Sequence, residues 1–184
     1  MKSKSSPKAE TNPQPAPPGE EISIEKPPPK ACSHAPLSLK QILVPVDFSD
    51  CSVNALDYAL ALGEKLGTKL TLLHVVEPAV YQDNYLMAPT GLDENNQNLV
   101  AAGRERLATL RARVTTHGLP VETLVRMGRA QSEISDTAKA IGSDLIVMGT
   151  HGHGGLKQVL LGGTAERVVR HAPCPVLTVR YPRQ

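Results

Sequence analysis

The chain has 184 residues, with 20 Lys and Arg against 18 Asp and Glu for a formal net charge of +2, and four tyrosines and one phenylalanine as its only aromatic residues; that is room for one ordinary domain with an appendage. Three widely spaced cysteines (Cys32, Cys51, Cys174) give neither a disulfide framework nor a C-x-x-C pair, which argues against a stapled secreted scaffold and for a reducing compartment. No Lys/Arg block or cluster of rings speaks for nucleic acid, no apolar h-region follows MKSKSSPKAE, and no stretch nears roughly 18 uninterrupted apolar residues, so no membrane partner and a cytoplasmic location are expected.

Residues 1–36 hold nine of the sixteen prolines, with Ile22 and Ile24 as their large apolar residues. Such a segment cannot bury enough surface to offset its ordering entropy, and a disordered Pro-rich arm is expected. Its Pro27-Pro28-Pro29 run favours polyproline geometry, which suits either a docking ligand for a protein partner or a solvated linker. Cys32 and His34 have no second pair in reach and read as incidental.

From residue 37 to 184 one domain is expected. QILVPV (41–46), KLTLLHVV (69–76), PVETLVRM (120–127), DLIVMG (144–149) and PVLTVR (175–180) read as five strands. The first, second and fourth are almost continuously apolar, the mark of strands covered on both faces. Between them run stretches of helical period. Ala55, Leu56, Ala59, Leu60, Ala61, Leu62 and Leu66 form the first apolar stripe, with Ser49 and Asp50 as capping candidates and Gly67 as a stop. Leu99, Ala102, Leu107, Leu110 and Val114 point a second helix to the core; Ile134, Ala138 and Ile141 mark a third, ending at Gly142; Ala165, Val168, Val169 and Ala172 mark a fourth, closed by Pro173. The segment from Glu77 to Asn96 is too long for an ordinary connection and reads as a mobile excursion. The resulting βαβαβαβαβ pattern predicts an α/β fold, a doubly wound five-stranded parallel sheet that is Rossmann-like, with strand order 3-2-1-4-5.

In such a sheet the ligand crevice opens at the carboxyl ends of the strands where the order reverses, between the loops after strands 1 and 4. Those loops are Asp47-Phe48-Ser49 and Gly149-Thr150-His151-Gly152-His153-Gly154-Gly155, the second running on to Gly162-Gly163-Thr164. Glycines admit an anion close to the backbone, and the N–H groups of a helix start favour phosphate, so Gly149, Gly152, Gly162 and Gly163 are placed to cradle a polyphosphate. Thr164 offers a hydroxyl, and Lys157, His151 and His153 offer charge or donors. His151 and His153 without a nearby carboxylate or cysteine do not make a metal site. Asp47, at the end of an apolar strand, is read either as a partner for ribose hydroxyls or as a helix cap, and the Val75 backbone as a reader of an adenine edge. Neither a P-loop nor a G-x-G-x-x-G after the first strand is present.

The stretches ILVPVDFSD, LTLLHVVEP and SDLIVMGTHGHGGLKQVLLGGTAERVVRHAPCPVLTVR resemble the universal stress protein family over residues 40–180, the last matching its nucleotide signature G-x-x-G, nine residues, G-[ST] with Gly149, Gly152 and Gly162. The resemblance implies a homodimer paired through the last strand (Val176, Leu177, Thr178, Val179) and ATP at the switch point; the residues themselves do not distinguish ATP from ADP or AMP, and Mg2+ bridging the phosphates is expected on charge grounds. It further implies Asp47 as the ribose partner, Pro45, Val46, Val75 and Met148 as adenine walls, and Gly149, Gly152, Gly162 and the opening of the last helix (Gly163, Thr164, Ala165) as the phosphate cradle. One departure stands out. Gly163 occupies the Ser/Thr position of the signature, so a hydroxyl is missing or displaced to Thr164, an expected weakening of about 1 kcal/mol. Three functions follow: an ATP-binding stress-response or signalling protein whose nucleotide occupancy regulates a homodimer; a slow ATP hydrolase, for which no side chain announces itself as a base; and a nucleotide-independent interaction module.

Overall fold

The computed structural model describes residues 38–78, 92–152 and 161–180. The arm of residues 1–36, most of the 77–96 excursion, His153 and Lys157 lie outside the described residues.

Nine elements alternate along the chain: β1 (Gln41–Pro45), α1 (Asp50–Leu66), β2 (Lys69–Val76), α2 (Leu92–Thr116), β3 (Val121–Met127), α3 (Ala130–Ala140), β4 (Leu145–Gly149), α4 (Gly163–His171) and β5 (Val176–Val179). The strands form one parallel sheet in the order β3-β2-β1-β4-β5, as the alternating pattern predicts. β1 lies at its centre, with Pro45 opposite Leu73 of β2 and Leu43 opposite Ile146 of β4.

The apolar runs of β1, β2 and β4 are buried on both faces because side chains alternate across the sheet and helices cover each side. Ile42, Val44, Leu70, Leu72 and Val147 pack against Ala55, Leu56, Ala59 and Leu60 of α1 and Leu107 and Val114 of α2. Leu43, Leu73, Ile146 and Met148 turn to the opposite face, against Ile134 and Ala138 of α3 and Ala165 and Val168 of α4. Each Leu or Ile so buried contributes about 1.5–3 kcal/mol, so the two layers together define the winding of the fold.

Ser49 caps α1 through its hydroxyl, which accepts from the Ser52 N–H, and Gly67 closes the helix with φ +65°, a left-handed conformation that suits a residue without Cβ. Five side chains predicted for the core are instead exposed. Leu99 stands outside because α2, at 25 residues and roughly 37 Å, outruns the eight-residue β2, so its first turns project past the strand ends, and Ala102 because it lies about 100° around α2 from the buried Gly103. Leu66 and Val169 are exposed by 40% and 49%: Leu66 is the last residue of α1, beyond the buried Gly63, and Val169 lies to one side of the row formed by Ala165 and Val168; Ala61 stands on the outer face of α1. The excursion is also shorter than expected, since α2 already begins at Leu92.

Candidate functional site

The helices that follow β1 and β4 leave the sheet on opposite faces, so the chain opens between the two strand ends and forms a cleft of about 350 Å³, within the usual ~300–1,000 Å³ range of small-molecule sites. Twelve of the thirteen site residues expected from the sequence line it. Pro45, Val46 and Asp47 come from the end of β1, Val75 from β2, Met148, Gly149, His151 and Gly152 from β4 and its loop, and Gly162, Gly163, Thr164 and Ala165 from the start of α4. His153, the thirteenth, is outside the described residues. Thr150, part of the loop expected at the crevice, completes the wall together with Ser52, Leu73, Ala130 and Ile134, which were not expected there. The signal for the last two was present, since the chain leaves β3 at the same edge of the sheet; for Ser52 and Leu73 only the three-dimensional packing reveals it.

Asp47 serves two purposes. Its Oδ1 accepts hydrogen bonds from the Ser49 N–H (3.0 Å) and hydroxyl (2.6 Å), which orients the Ser49 oxygen that caps α1. Its Oδ2 faces Gly152 so closely that a Cβ there would collide with it. The cap and ligand readings of Asp47 are therefore compatible: one oxygen supports the cap while the other lies against the glycine loop. Between Asp47 and Ser49 the chain turns through Phe48 at φ +67°, a left-handed conformation that costs a non-glycine residue about 1–2 kcal/mol.

The other wall is built on backbone. Gly149 lies against α1, where a Cβ would meet Cys51 Sγ at 2.9 Å and the Cys51 carbonyl carbon at 3.0 Å. The Thr150 N–H donates to the Val179 carbonyl (2.9 Å), and the Gly162 N–H donates to the Thr150 carbonyl (2.8 Å), so the loop is tied to β5 at one end and to α4 at the other. Gly162 is the N-cap of α4, and the first bond of that helix runs from the Glu166 N–H to the Gly162 carbonyl. The N–H groups of Gly163, Thr164 and Ala165 thus have no acceptor within the helix and carry its positive dipole end into the cleft. At α3 the comparable position is met by a carboxylate: Glu77 Oε1 accepts from the Ala130 N–H at 2.7 Å. An anion is accordingly favoured at α4 and opposed by like charge at α3.

Glu166 faces away from this chemistry, since its Oε1 accepts from Arg170 Nη2 at 2.8 Å on the exposed side of α4. His151 lines the cleft with its Nδ1 at 2.9 Å from the Thr150 hydroxyl. Cys174 lies at the opposite edge of the sheet, where burial and then the charge of Asp144 push its thiol pKa up and disfavour the thiolate. Among the described residues no group of three His, Cys, Asp or Glu side chains could hold a metal ion, and no helix there is long and apolar enough to cross a membrane.

The family model for universal stress proteins matches residues 38–180. The chain belongs to the universal stress protein family. It is 32% identical over 145 residues to universal stress protein MJ0531 of Methanocaldococcus jannaschii, covering 79% of this chain and 84% of that one. It is 34% identical over 148 residues to universal stress protein YxiE of Bacillus subtilis, covering 76% and 98%. The solved structure of universal stress protein UspA from Lactobacillus plantarum superposes with a TM-score of 0.70 at 30% identity, over 78% of this chain and 99% of that one. In this universal stress protein, Gly163 opens α4 at the position the signature gives to Ser or Thr.

Proposed function

We propose that the protein is a cytoplasmic stress-response or signalling protein that binds an adenine nucleotide, ATP foremost, in the cleft between β1 and β4, and that occupancy regulates a homodimer. The observation that carries this reading is the convergence, in one cleft, of a carboxylate oxygen suited to ribose hydroxyls, an apolar wall of Pro45, Val46, Val75 and Met148 suited to a base, and the glycine-bounded N-terminus of α4 suited to phosphate. Magnesium would bind through phosphate oxygens and water, as that ion commonly does, without a protein cage. Fold neighbours solved in complex with cAMP and with dAMP are 22% and 20% identical, a likeness of fold alone, so the reading rests on the cleft.

The test is a thermal melt of the nucleotide-stripped, full-length protein with magnesium and ATP, AMP or GTP. At a hundredfold excess over Kd, binding adds about 2.7 kcal/mol and raises the midpoint by about 5–10 °C for a domain of this size. A shift with the adenine nucleotides and none with GTP is expected. No shift with any of them, in a protein that melts cooperatively, overturns the proposal. The function would then be that of an interaction module, the reading Gly163 favours because it removes a side-chain donor from the cradle. Hydrolysis has no comparable support, because Glu166 is held by Arg170 outside the cleft.

A further inference from the structure

The single phenylalanine of the chain stands beside the cleft carboxylate, in the one positive-φ conformation that a non-glycine residue adopts among the described residues. Its ring turns away from the cleft. Phe48 lies 4.6 Å, centroid to centroid, from the imidazole of His74 on β2, and the Arg106 guanidinium of α2 sits 3.9 Å from the centre of the phenyl ring. His74 is fixed in turn. Its Nδ1 donates to the Val46 carbonyl at 2.9 Å, since a carbonyl can only accept, and α2 comes so near at Gly103 that any Cβ there would stand 2.7 Å from His74 Cδ2. Gly103 and Arg106, three residues apart, share one face of α2 and grip the His74–Phe48 pair from that side.

The neighbours Asp47 and Phe48 therefore reach to opposite sides of β1: the carboxylate toward Gly152 in the loop after β4, the ring toward β2 and α2. The left-handed turn at Phe48 makes that divergence and also brings the Ser49 N–H and hydroxyl onto Asp47 Oδ1. Glycine would take such a turn without strain. A phenylalanine there needs an anchor, and the His74 ring and the Arg106 cation supply one through tilted ring contact and cation–π attraction.

We propose that Phe48, His74 and Arg106 act as positioning residues, holding the Asp47–Ser49 turn so that Asp47 Oδ2 is set in advance for the ribose hydroxyls of the ligand. The positioning of the turn stands on the contacts above; its service to ribose rests on the nucleotide reading, and the test separates the two. In the full-length protein without nucleotide, Arg106→Ala should speed hydrogen exchange of the Ser49 amide by about two- to fivefold, the loss expected for one cation–π contact from an exposed arginine, while the melting midpoint falls by no more than about 4 °C. In binding titrations the same variant should weaken AMP by about two- to fivefold and leave 2′,3′-dideoxy-AMP unchanged, with part of the loss restored in Arg106→Lys. Phe48→Gly, which keeps the turn without strain and removes the ring, should reproduce the loss of ribose discrimination, with a fall in the melting midpoint from the packing that the ring gives up. Unchanged Ser49 exchange, or equal weakening of both ligands, overturns the proposal. If the unaltered protein binds neither ligand, the nucleotide reading fails and the ribose role with it, while the exchange measurement still decides the positioning of the turn.

Discussion

A side chain at position 152 would stand where Asp47 Oδ2 already is, whereas one at position 163 would meet no atom of the described residues within 4 Å. The glycines of the cleft thus answer to different demands. Gly152 is there because a carboxylate approaches it, so Gly152→Val should displace Asp47 or the loop and weaken nucleotide binding by more than about tenfold, while this exposed position leaves the melting midpoint within about 2 °C. Gly149 is there because β4 ends against α1, and the atoms in the way include the Cys51 backbone, which cannot swing aside. Gly149→Ala should therefore destabilise the fold by about 1–3 kcal/mol, read as a fall in the melting midpoint. Gly163 answers to neither. Gly163→Ser restores the hydroxyl of the signature in open space, so it should tighten ATP binding by about fivefold, the value of one hydrogen bond, and raise the midpoint slightly through better helix propensity. A loss of affinity in Gly163→Ser would mean that glycine is required there for backbone approach. Sequence spacing marked Gly149 and Gly152 alike, because it registers the missing Cβ without showing what would have met it.

At the scale of elements, the five strands were legible almost to the residue. β2 was read as 69–76 and is Lys69–Val76, because continuous apolar runs bounded by polar residues have one stable place in a parallel sheet. The helices were legible in kind and less so in facing. Leu107 and Val114 of α2 are buried as expected, yet Leu99 is not, since periodicity identifies an apolar stripe but not where the sheet beneath it stops. The capping of α1 was only half visible: Ser49 and Asp50 were both candidates, and the arrangement that decides for Ser49 depends on Asp47, two residues earlier. Ser49→Ala removes the acceptor of the Ser52 N–H and a donor to Asp47 together. A cap of this kind is worth about 1 kcal/mol, so the midpoint should fall by about 2–4 °C. Nucleotide affinity should fall too, because the carboxylate loses the bond that orients it. A fall in stability alone would mean that Asp47 is held well enough by the Ser49 backbone N–H.

Across the whole molecule, the strand that ends the sheet also holds the loop of the cleft. β5 is an edge strand, with Leu177 exposed by 37%, and an apolar edge of this kind invites a second copy. The Val179 carbonyl accepts from the Thr150 N–H at 2.9 Å and from the Cys51 thiol at 3.4 Å, and the Arg180 carbonyl accepts from Asn54 Nδ2 at 2.9 Å. Any shift of β5 on pairing with another copy is therefore felt at Thr150, one bond away from Gly162 and the start of α4. Pairing of Val176–Val179 across a two-fold axis would couple the dimer to the cleft through these bonds, and such coupling is reciprocal: the factor by which nucleotide strengthens the dimer equals the factor by which the dimer strengthens nucleotide binding. Leu177→Lys sets like charges against each other at that edge and leaves the core intact, so sedimentation should report a monomer with an almost unchanged melting midpoint. Titration of that monomer should then give weaker ATP binding than the dimer, by the same factor by which ATP lowers the dimer dissociation constant of the unaltered protein. A monomer that binds ATP with the affinity of the dimer would uncouple the two and leave the cleft without influence on assembly. A variant that remains dimeric would place the interface on another surface.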